Sequence, residues 1–93
     1  MPALDSAPGD DYERRVFRAF VVDGRLKAIP AKRRKREVLL RRIVDSFQRE
    51  RVYQEREVNT ILRRFHEDVA FLRRELVDLG LLVRYRGEYA RPD

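Results

Sequence analysis

The densest group of side chains that could do chemistry is a run of five consecutive cations at the predicted start of a helix. The run consists of Lys32, Arg33, Arg34, Lys35 and Arg36. Cations in the first turn of a helix oppose the partial positive charge of its free N–H groups. A bound phosphate would relieve this clash and the mutual repulsion, so phosphate contact is the functional interpretation. The alternative is a set of solvated side chains that extend into water.

The overall charge also favours a polyanionic partner. The 93-residue sequence contains 22 Lys and Arg residues against 16 Asp and Glu residues, which gives a net charge of +6 at pH 7. Residues 1–13 contain four of the acids and no Lys or Arg, so the remainder has 22 bases against 12 acids, a surplus of +10. Such a surplus attracts nucleic acid or an anionic membrane surface. A charged surface that serves only solubility is the alternative.

Hydrophobic periodicity predicts four helices and a terminal hairpin that would position these cations. Apolar residues recur at helical spacing over residues 12–20, 31–47, 55–66 and 68–79. Asp23-Gly24 favours a tight turn between two short apolar runs. Residues 81–86 alternate as a strand does, with Leu81, Val83 and Tyr85 on one side and Leu82, Arg84 and Arg86 on the other, and Gly87 separates them from a second short strand at residues 88–91.

This order of elements predicts a winged helix-turn-helix, a fold that is mainly α with a small β-hairpin. Residues 31–93 form its predicted core, and residues 12–30 form an N-terminal helical and turn extension. The length of residues 12–93 suits a single domain. Residues 1–11 are small, acidic and rich in turn formers, so we expect a disordered tail there.

Single residues predict where several elements begin and end. Val52 and Tyr53 predict a short strand before the third helix. Asp68 is a good N-cap for the fourth helix, and Gly80 suits a left-handed stop after it. Gln54 is a weak cap for the third helix.

Three stretches of the sequence resemble one bacterial family. They are Asp23-Gly24-Arg25-Leu26 with Ile29-Pro30 and the basic run; Tyr53 with residues 55–62; and residues 66–82, including Leu72-Arg73-Arg74-Glu75-Leu76, followed by Arg84, Gly87, Tyr89 and Arg91. Over residues 20–91 the chain resembles a family classified as a domain of unknown function, number 2087. The resemblance implies a winged-helix fold similar to that of transcription regulators, and it supplies no ligand or reaction. Gln54 departs from the pattern, which has Ser or Thr as the expected cap.

The predicted fourth helix has an outward face that could read base edges. This face carries Glu67, Ala70, Phe71, Arg74 and Asp78. Arg74 could fork onto guanine and Phe71 could contact a thymine methyl group, whereas the two carboxylates would be repelled by nearby phosphates. An exposed phenylalanine among mixed charges also suits a protein partner. We predict DNA contact here, with protein docking through Phe71 as the alternative.

Other arginines are predicted to contact the phosphate backbone. Arg84 and Arg86 share the predicted hairpin face that points away from Val83 and Tyr85, so both could reach the backbone or a minor groove. Further candidate backbone contacts are Arg56, Arg63 and Arg91. Arg73 is instead expected to pair with a carboxylate of its own helix.

The sequence favours neither catalysis nor a metal site. It has no cysteine and one histidine. His66, Glu67 and Asp68 are explained better as helix-end residues than as metal ligands. Neither Ser6 nor Ser46 lies in a nucleophile motif, and no glycine-rich phosphate loop is present. We therefore expect a protein that is not an enzyme and that holds no metal or cofactor.

The predicted function is a winged-helix domain that binds DNA, in double-stranded form, as a transcriptional regulator or accessory protein. A winged-helix protein-interaction module is the alternative, and a membrane-surface role ranks third. The absence of cysteine, of a long apolar stretch and of a signal-peptide pattern predicts a cytoplasmic protein with no membrane partner. The sequence leaves open the DNA site, a choice of RNA over DNA, any effector and whether two copies form a homodimer.

Overall fold

The computed structural model describes residues 9–92 of the chain. Within this range the helices are α1 (Asp11–Phe20), α2 (Arg33–Ile43), α3 (Glu55–Arg63) and α4 (Val69–Asp78), and a 3-10 turn (Val44–Ser46) follows α2. The strands are β1 (Val21–Val22), β2 (Arg25–Leu26), β3 (Tyr53–Gln54), β4 (Val83–Tyr85) and β5 (Glu88–Ala90). They form two small antiparallel sheets, in which β1 pairs with β2 and β5 lies between β3 and β4. The result is a small α/β fold.

α1 begins one residue before the predicted helix because the preceding residue caps it. The side chain of Asp10 accepts a hydrogen bond from the N–H of Glu13 at 2.8 Å. An aspartate in this position satisfies a free amide and interacts favourably with the positive end of the helix dipole. Asp10 and Asp11, which were predicted to belong to a disordered tail at residues 1–11, are therefore the cap and the first residue of α1. Residues 1–8 lie outside the described residues.

The β1–β2 hairpin confirms the tight turn predicted at Asp23-Gly24. Both residues have positive φ values, 52° and 75°, as a type I′ turn requires. The hairpin packs against the end of α3, because the N–H of Leu26 donates to the carbonyl oxygen of Phe65 at 2.8 Å. The predicted N-terminal extension is thus a helix and a hairpin that are joined to the later elements.

α2 is shorter than the helix predicted at residues 31–47. It begins at Arg33, and Lys32 before it provides no side-chain cap. The chain then tightens into the 3-10 turn Val44–Ser46, which is a common way to end an α-helix. Apolar burial continues through this turn to Phe47, and this continuity is why the sequence alone predicts a longer helix.

Local residues specify both ends of α4, as predicted. Asp68 caps its start by accepting a hydrogen bond from the N–H of Phe71 at 3.2 Å. After its end, Gly80 has a φ of 75°, and its N–H donates to the carbonyl oxygen of Val77 at 3.0 Å. This left-handed stop satisfies a carbonyl that would otherwise lack a partner. α3, in contrast, ends at Arg63, sooner than its periodicity predicts.

The short strand predicted before the third helix is confirmed, and it joins the terminal hairpin. Tyr53 pairs with Tyr89, and Gln54 pairs with Glu88, in antiparallel register. The side-chain amide of Gln54 donates to the carboxylate of Glu88 at 2.9 Å. The backbone N–H of Gln54 donates to the carboxylate of Glu57 at 2.9 Å. Gln54 therefore links the start of α3 to the hairpin.

The predicted inward stripes of the helices meet in one hydrophobic core. Its most completely buried side chains are Phe47, Phe65, Leu39, Leu40, Ile43, Leu62, Leu72, Leu76, Leu82 and Val58. α1 adds Val16 and Phe17, and the two hairpins add Leu26 and Tyr89. Burial of this apolar surface is the main favourable term for folding, and it decides which side of each helix faces solvent. No helix within residues 9–92 combines the length and the apolar character of a membrane span.

Candidate nucleic-acid interface

The outward face of α4 has Arg74 at its centre. α4 buries Val69, Leu72 and Leu76 against the core, and Arg74 lies exposed on the opposite side. Within the described part of the chain, no hydrogen bond or ion pair engages its guanidinium group. An exposed guanidinium group without a partner can bind the paired acceptors of a guanine base or a phosphate group.

Phe71 is half-buried, which corrects the exposed position predicted for it. The guanidinium of Arg36 lies over the ring, with its Cζ atom 5.6 Å from the ring centroid. The neighbouring Ala70 is also half-buried, whereas Glu67 and Asp78 are exposed. The cause is tertiary, because the start of α2 packs against this side of α4. The face that remains open on α4 is therefore narrower and more polar than predicted.

Arg36 is engaged inside the fold and does not belong with the other cations of the basic run. Its Nε atom donates to the Oε1 atom of Glu75 at 3.0 Å, and its Nη1 atom donates to the carbonyl oxygens of Pro30 at 3.2 Å and Ala31 at 2.6 Å. The side chains of Arg36 and Glu75 are only 16% and 13% exposed. This network engages the guanidinium group that was predicted to contact phosphate, and it fixes the start of α2 against α4.

Two more cations of the basic run lie against α1. The Cζ atom of Arg34 is 4.3 Å from the centroid of the Tyr12 ring. The Nζ atom of Lys35 is 5.9 Å from the centroid of the Phe20 ring. A cation over an aromatic face is attracted by the quadrupole of the ring. These two residues therefore help to hold α1 on α2, a role that the run of charges alone does not reveal.

Lys32 and Arg33 remain as the cations of the basic run that face solvent without a partner. Both are exposed, and within the described residues neither side chain forms a hydrogen bond or an ion pair. Both lie within one helical turn of Arg36, whose side chain contacts Glu75 and Phe71 of α4. They are therefore the unpaired cations of the basic run nearest in sequence to this contact with α4.

A groove of about 540 Å³ borders α4 on the side of the terminal hairpin. Its lining residues come from α3, α4 and the hairpin, and they are Glu55, Arg73, Arg74, Val77, Asp78, Arg84 and Tyr89. Three arginines against two carboxylates leave one net positive charge. Arg84 is exposed, and its Cζ atom lies 5.9 Å from the centroid of the Tyr89 ring. The hairpin thus adds a cation to the surface that Arg74 shares.

Arg73 pairs between helices and not within α4, which corrects the predicted pairing. It donates to the side-chain oxygen of Asn59, and its Nε atom lies 3.8 Å from a carboxylate oxygen of Glu55. Glu55 also accepts a hydrogen bond from the hydroxyl group of Tyr89 at 3.0 Å. Burial raises the pKa of Tyr89, and the hydrogen bond to Glu55 raises it further. The floor of the groove is therefore a connected polar network.

Arg84 and Arg86 do not share a face of the hairpin, contrary to the predicted alternation. Arg84 lies opposite Tyr89 in register, on the inner side of the sheet. Arg86 lies over the ring of Tyr85, with its Cζ atom 5.1 Å from the centroid, and Tyr85 is 69% exposed. The reason is that β4 ends at Tyr85 and Arg86 lies in the turn with a positive φ of 52°, so the alternation of a strand does not extend to Arg86. Tyr85 is an exposed residue at the hairpin tip that the sequence analysis did not select.

Arg91 is engaged within the fold as well. Its Nη1 atom donates to the carbonyl oxygen of Phe47 at 3.1 Å, and its Nη2 atom lies 3.5 Å from the carboxylate of Asp45. The side chain is 13% exposed. The guanidinium group that was predicted to contact the phosphate backbone thus already fastens the C-terminal strand to the turn after α2.

Arg56 and Arg63 are exposed on α3, as predicted, but Arg56 belongs to a different groove. It lines a groove of about 480 Å³ together with Arg51 and Arg64. Neither of these two partners was predicted. The spacing of Arg56 and Arg64 along one side of a helix is a signal for Arg64, whereas Arg51 lies in the loop before β3 and only the fold brings it there.

The matched family covers both grooves and α4. A family model described as an uncharacterized protein conserved in bacteria (DUF2087) matches residues 25–91. No curated protein and no solved structure matches the chain. α1 and β1 precede the matched range, so the α4 face is built entirely from the part of the chain that the family model describes.

Proposed function

This chain belongs to the DUF2087 family of uncharacterized bacterial proteins, and we propose that it is a winged-helix domain that binds double-stranded DNA. The order of α3, a short turn and α4 supports this fold, because it is the order of a helix-turn-helix. The β4–β5 hairpin follows α4 directly, and β3 completes a sheet with it. On this proposal α4 is the recognition helix and the β4–β5 hairpin is the wing.

The observation that carries the DNA proposal is that the guanidinium group of Arg74 is exposed and unpaired. It is exposed at the centre of the outward face of α4 and is unpaired within residues 9–92. An arginine on a recognition helix can bind the O6 and N7 atoms of guanine with both arms of its guanidinium group. Asp78, one turn further along, would be repelled by phosphate but can accept a hydrogen bond from the amino group of cytosine. The face therefore suits base edges in a major groove.

Phosphate contacts come from both sides of α4. Lys32 and Arg33 lie within one turn of Arg36, which contacts Phe71 of α4, and Arg84 lines the groove on the hairpin side. Cations in these positions contribute affinity and orientation without sequence information. A domain that combines a reading helix with flanking phosphate contacts suits a transcriptional regulator or an accessory DNA-binding protein.

Protein docking through Phe71 is the alternative function that the sequence leaves open. The ring is half-buried and lies under the guanidinium of Arg36. Binding hot spots are typically Trp, Tyr or Arg side chains that the partner covers completely. Because Arg36 already covers part of this ring, we favour nucleic acid over protein as the partner of the α4 face.

A titration against mixed-sequence duplex DNA at several salt concentrations tests the proposal. If three or four cations engage phosphates, log affinity falls linearly with log salt with a slope of about −3 to −4, because each neutralised phosphate contributes about −0.9. The readout is the fluorescence anisotropy of a labelled duplex. No binding at about 50 mM salt, where phosphate contacts are strongest, would refute the proposal.

A further inference from the structure

A second groove lies between α3 and the segment that follows α2, and the α4 face does not include it. The groove has a volume of about 480 Å³. Its polar and cationic lining includes Ser46, Gln48, Arg51, Arg56, Thr60 and Arg64. Three arginines therefore converge on one concave surface from a loop and from one helix.

The groove has more positive charge than the fold neutralises. Glu57 is its one carboxylate among the lining residues. One oxygen of Glu57 pairs with Arg51 at 3.1 Å, and the other accepts the N–H of Gln54 at 2.9 Å. Arg56 and Arg64 are exposed, and no ion pair or hydrogen bond within residues 9–92 engages their guanidinium groups. Two net positive charges are left facing solvent.

Arg51 is held in place by more than its ion pair. Its Cζ atom lies 4.6 Å from the centroid of the Tyr53 ring, and the hydroxyl group of Tyr53 accepts a hydrogen bond from the N–H of Gln48 at 2.7 Å. Tyr53 is buried. The wall of the groove is therefore ordered before any ligand binds, which lowers the entropy that binding must overcome.

The partial negative charge at the C-terminal end of α3 is neutralised, so it does not repel an anion in this groove. The last carbonyl groups of a helix carry partial negative charge, which repels anions. Here the Nη1 atom of Arg25 donates to the carbonyl oxygens of Arg63 and Arg64, at 2.9 Å and 2.8 Å. The guanidinium of Arg25 thus neutralises this end of the dipole, next to Arg64.

The groove and the α4 face use different sides of α3. Glu55 and Asn59 contact Arg73 of α4. Arg56 and Arg64 instead line the groove, against the loop that follows α2. A ligand in the groove can therefore bind at the same time as a ligand on α4.

The spacing of the two unpaired arginines suits a chain of phosphates better than a single phosphate. Arg56 and Arg64 are separated by about 12 Å along the axis of α3, at about 1.5 Å per residue. Successive phosphates of a DNA strand repeat along the duplex at a short, regular interval, so two arginines this far apart contact separate phosphates of a strand and not one phosphate.

We propose that this groove is a second phosphate-binding surface and that it holds the backbone of a second duplex segment. One copy of the chain would then bridge two duplexes, one on α4 and one in the groove. This inference extends the proposed function, since it assumes the same class of ligand, but the two surfaces have separate residues and can be tested separately. Guanidinium groups are well matched to the oxygens of phosphodiesters.

The test compares four forms of the chain. They are the wild type, a groove variant (Arg56→Ala with Arg64→Ala), a helix-face variant (Lys32→Ala, Arg33→Ala and Arg74→Ala) and a control variant (Arg15→Ala with Arg18→Ala). The control removes the same charge as the groove variant from exposed positions on α1. All substituted positions are solvent-exposed, and the melting temperature of each variant checks that it folds as the wild type does.

The measurement is the number of duplexes bound per chain at about 50 mM salt. The duplex has about 12 base pairs and is about 40 Å long at 3.4 Å per base pair. This length exceeds the 37 Å longest dimension of the domain, so one duplex is long enough to cover either surface. Sedimentation gives the mass of the complex, so that two duplexes on one chain are distinguished from two chains on two duplexes. Energy transfer between donor-labelled and acceptor-labelled duplexes reports bridging.

We expect the wild type and the control variant to bind two duplexes and to bridge them. The groove variant and the helix-face variant should each bind one duplex and should not bridge. A wild type that binds one duplex, with the groove variant indistinguishable from the control, would overturn the second surface and leave the proposed function intact. If the helix-face variant retains all binding and the groove variant loses it, the groove stands and the proposed function fails. Absence of binding by the wild type would overturn both.

Discussion

Arg36 and Glu75, which are 39 residues apart in the chain, form an ion pair across 3.0 Å between α2 and α4. This pair takes one cation out of the basic run and partly covers the α4 face. It also joins the start of α2, where Lys32 and Arg33 lie within one turn of Arg36, to the helix that carries Arg74. The composition of the candidate interface therefore depends on this one contact.

Replacement of Arg36 by alanine should destabilise the fold by about 2 to 3 kcal/mol. The change leaves the carboxylate of Glu75 and the carbonyl oxygens of Pro30 and Ala31 without their donor in a partly buried site. Lys32→Ala is the control, and it should change stability by less than about 0.5 kcal/mol because Lys32 is exposed. Urea denaturation measures both. Equal effects of the two substitutions would show that Arg36 is not structural.

Replacement of Arg74 by alanine should change which DNA sequences are selected. If Arg74 reads a base edge, its loss costs about 1 to 3 kcal/mol on a preferred site and relaxes discrimination at one position. Loss of Lys32 and Arg33 should weaken all sequences alike and reduce the salt slope by about 2. Competition across a randomised duplex library, at one fixed salt concentration, compares the two variants. If Arg74→Ala selects the same DNA sequences from the library as the wild type, then an element other than Arg74 recognises the bases.

The two hairpin arginines should differ in their effect on DNA affinity. Arg84 lines the groove that Arg74 shares, whereas Arg86 lies over Tyr85 at the hairpin tip. Arg84→Ala should therefore lower affinity more and reduce the salt slope by about 0.9. Arg86→Ala is its matched control, since it removes the same charge from the same hairpin. A larger loss for Arg86→Ala would place the main backbone contact at the hairpin tip instead.

Loss of Arg25 should loosen the attachment of the β1–β2 hairpin to α3. Arg25 donates to the carbonyl oxygens of Arg63 and Arg64, and within residues 9–92 no other charged side chain donates to these two oxygens. Arg25→Ala should cost about 1 kcal/mol, because the site is exposed and water replaces part of the contact. Lys27→Ala, an exposed neighbour in sequence, is the control. Thermal unfolding monitored by circular dichroism measures the difference, and equal melting temperatures for the two variants would contradict this role.

The alkaline stability of the protein should depend on Tyr89. Its pKa is raised above the ordinary value of 10.0, first by burial and then by the hydrogen bond to Glu55. A group with a raised pKa in the folded state contributes stability that is complete below its unfolded pKa and is lost as pH rises through its folded pKa. Stability should therefore fall above about pH 10, and Tyr89→Phe should make this fall less steep. Urea denaturation at a series of pH values tests it, and identical pH profiles would argue against the effect.

The sequence by itself determined the elements of this fold and both ends of α4. Helical periodicity located all four helices, because a residue's position on a helix surface depends only on its distance along the chain. Asp23-Gly24 specified a tight turn, and Asp68 and Gly80 specified the ends of α4, because caps and turns are contacts among close neighbours. The inward stripes also predicted the core, since apolar side chains leave water whichever partner they meet.

The tertiary structure alone decided which cations face solvent. Arg91 reaches the carbonyl oxygen of Phe47, 44 residues away, and Arg36 reaches Glu75, 39 residues away. Residue type alone does not distinguish these two arginines from Arg74, which remains unpaired within residues 9–92. A long side chain can reach any of several acceptors, and the free energy of each pairing depends on burial and distance, which are fixed only when the helices pack. Charge is thus a property of the sequence, but its availability to a ligand is a property of the fold.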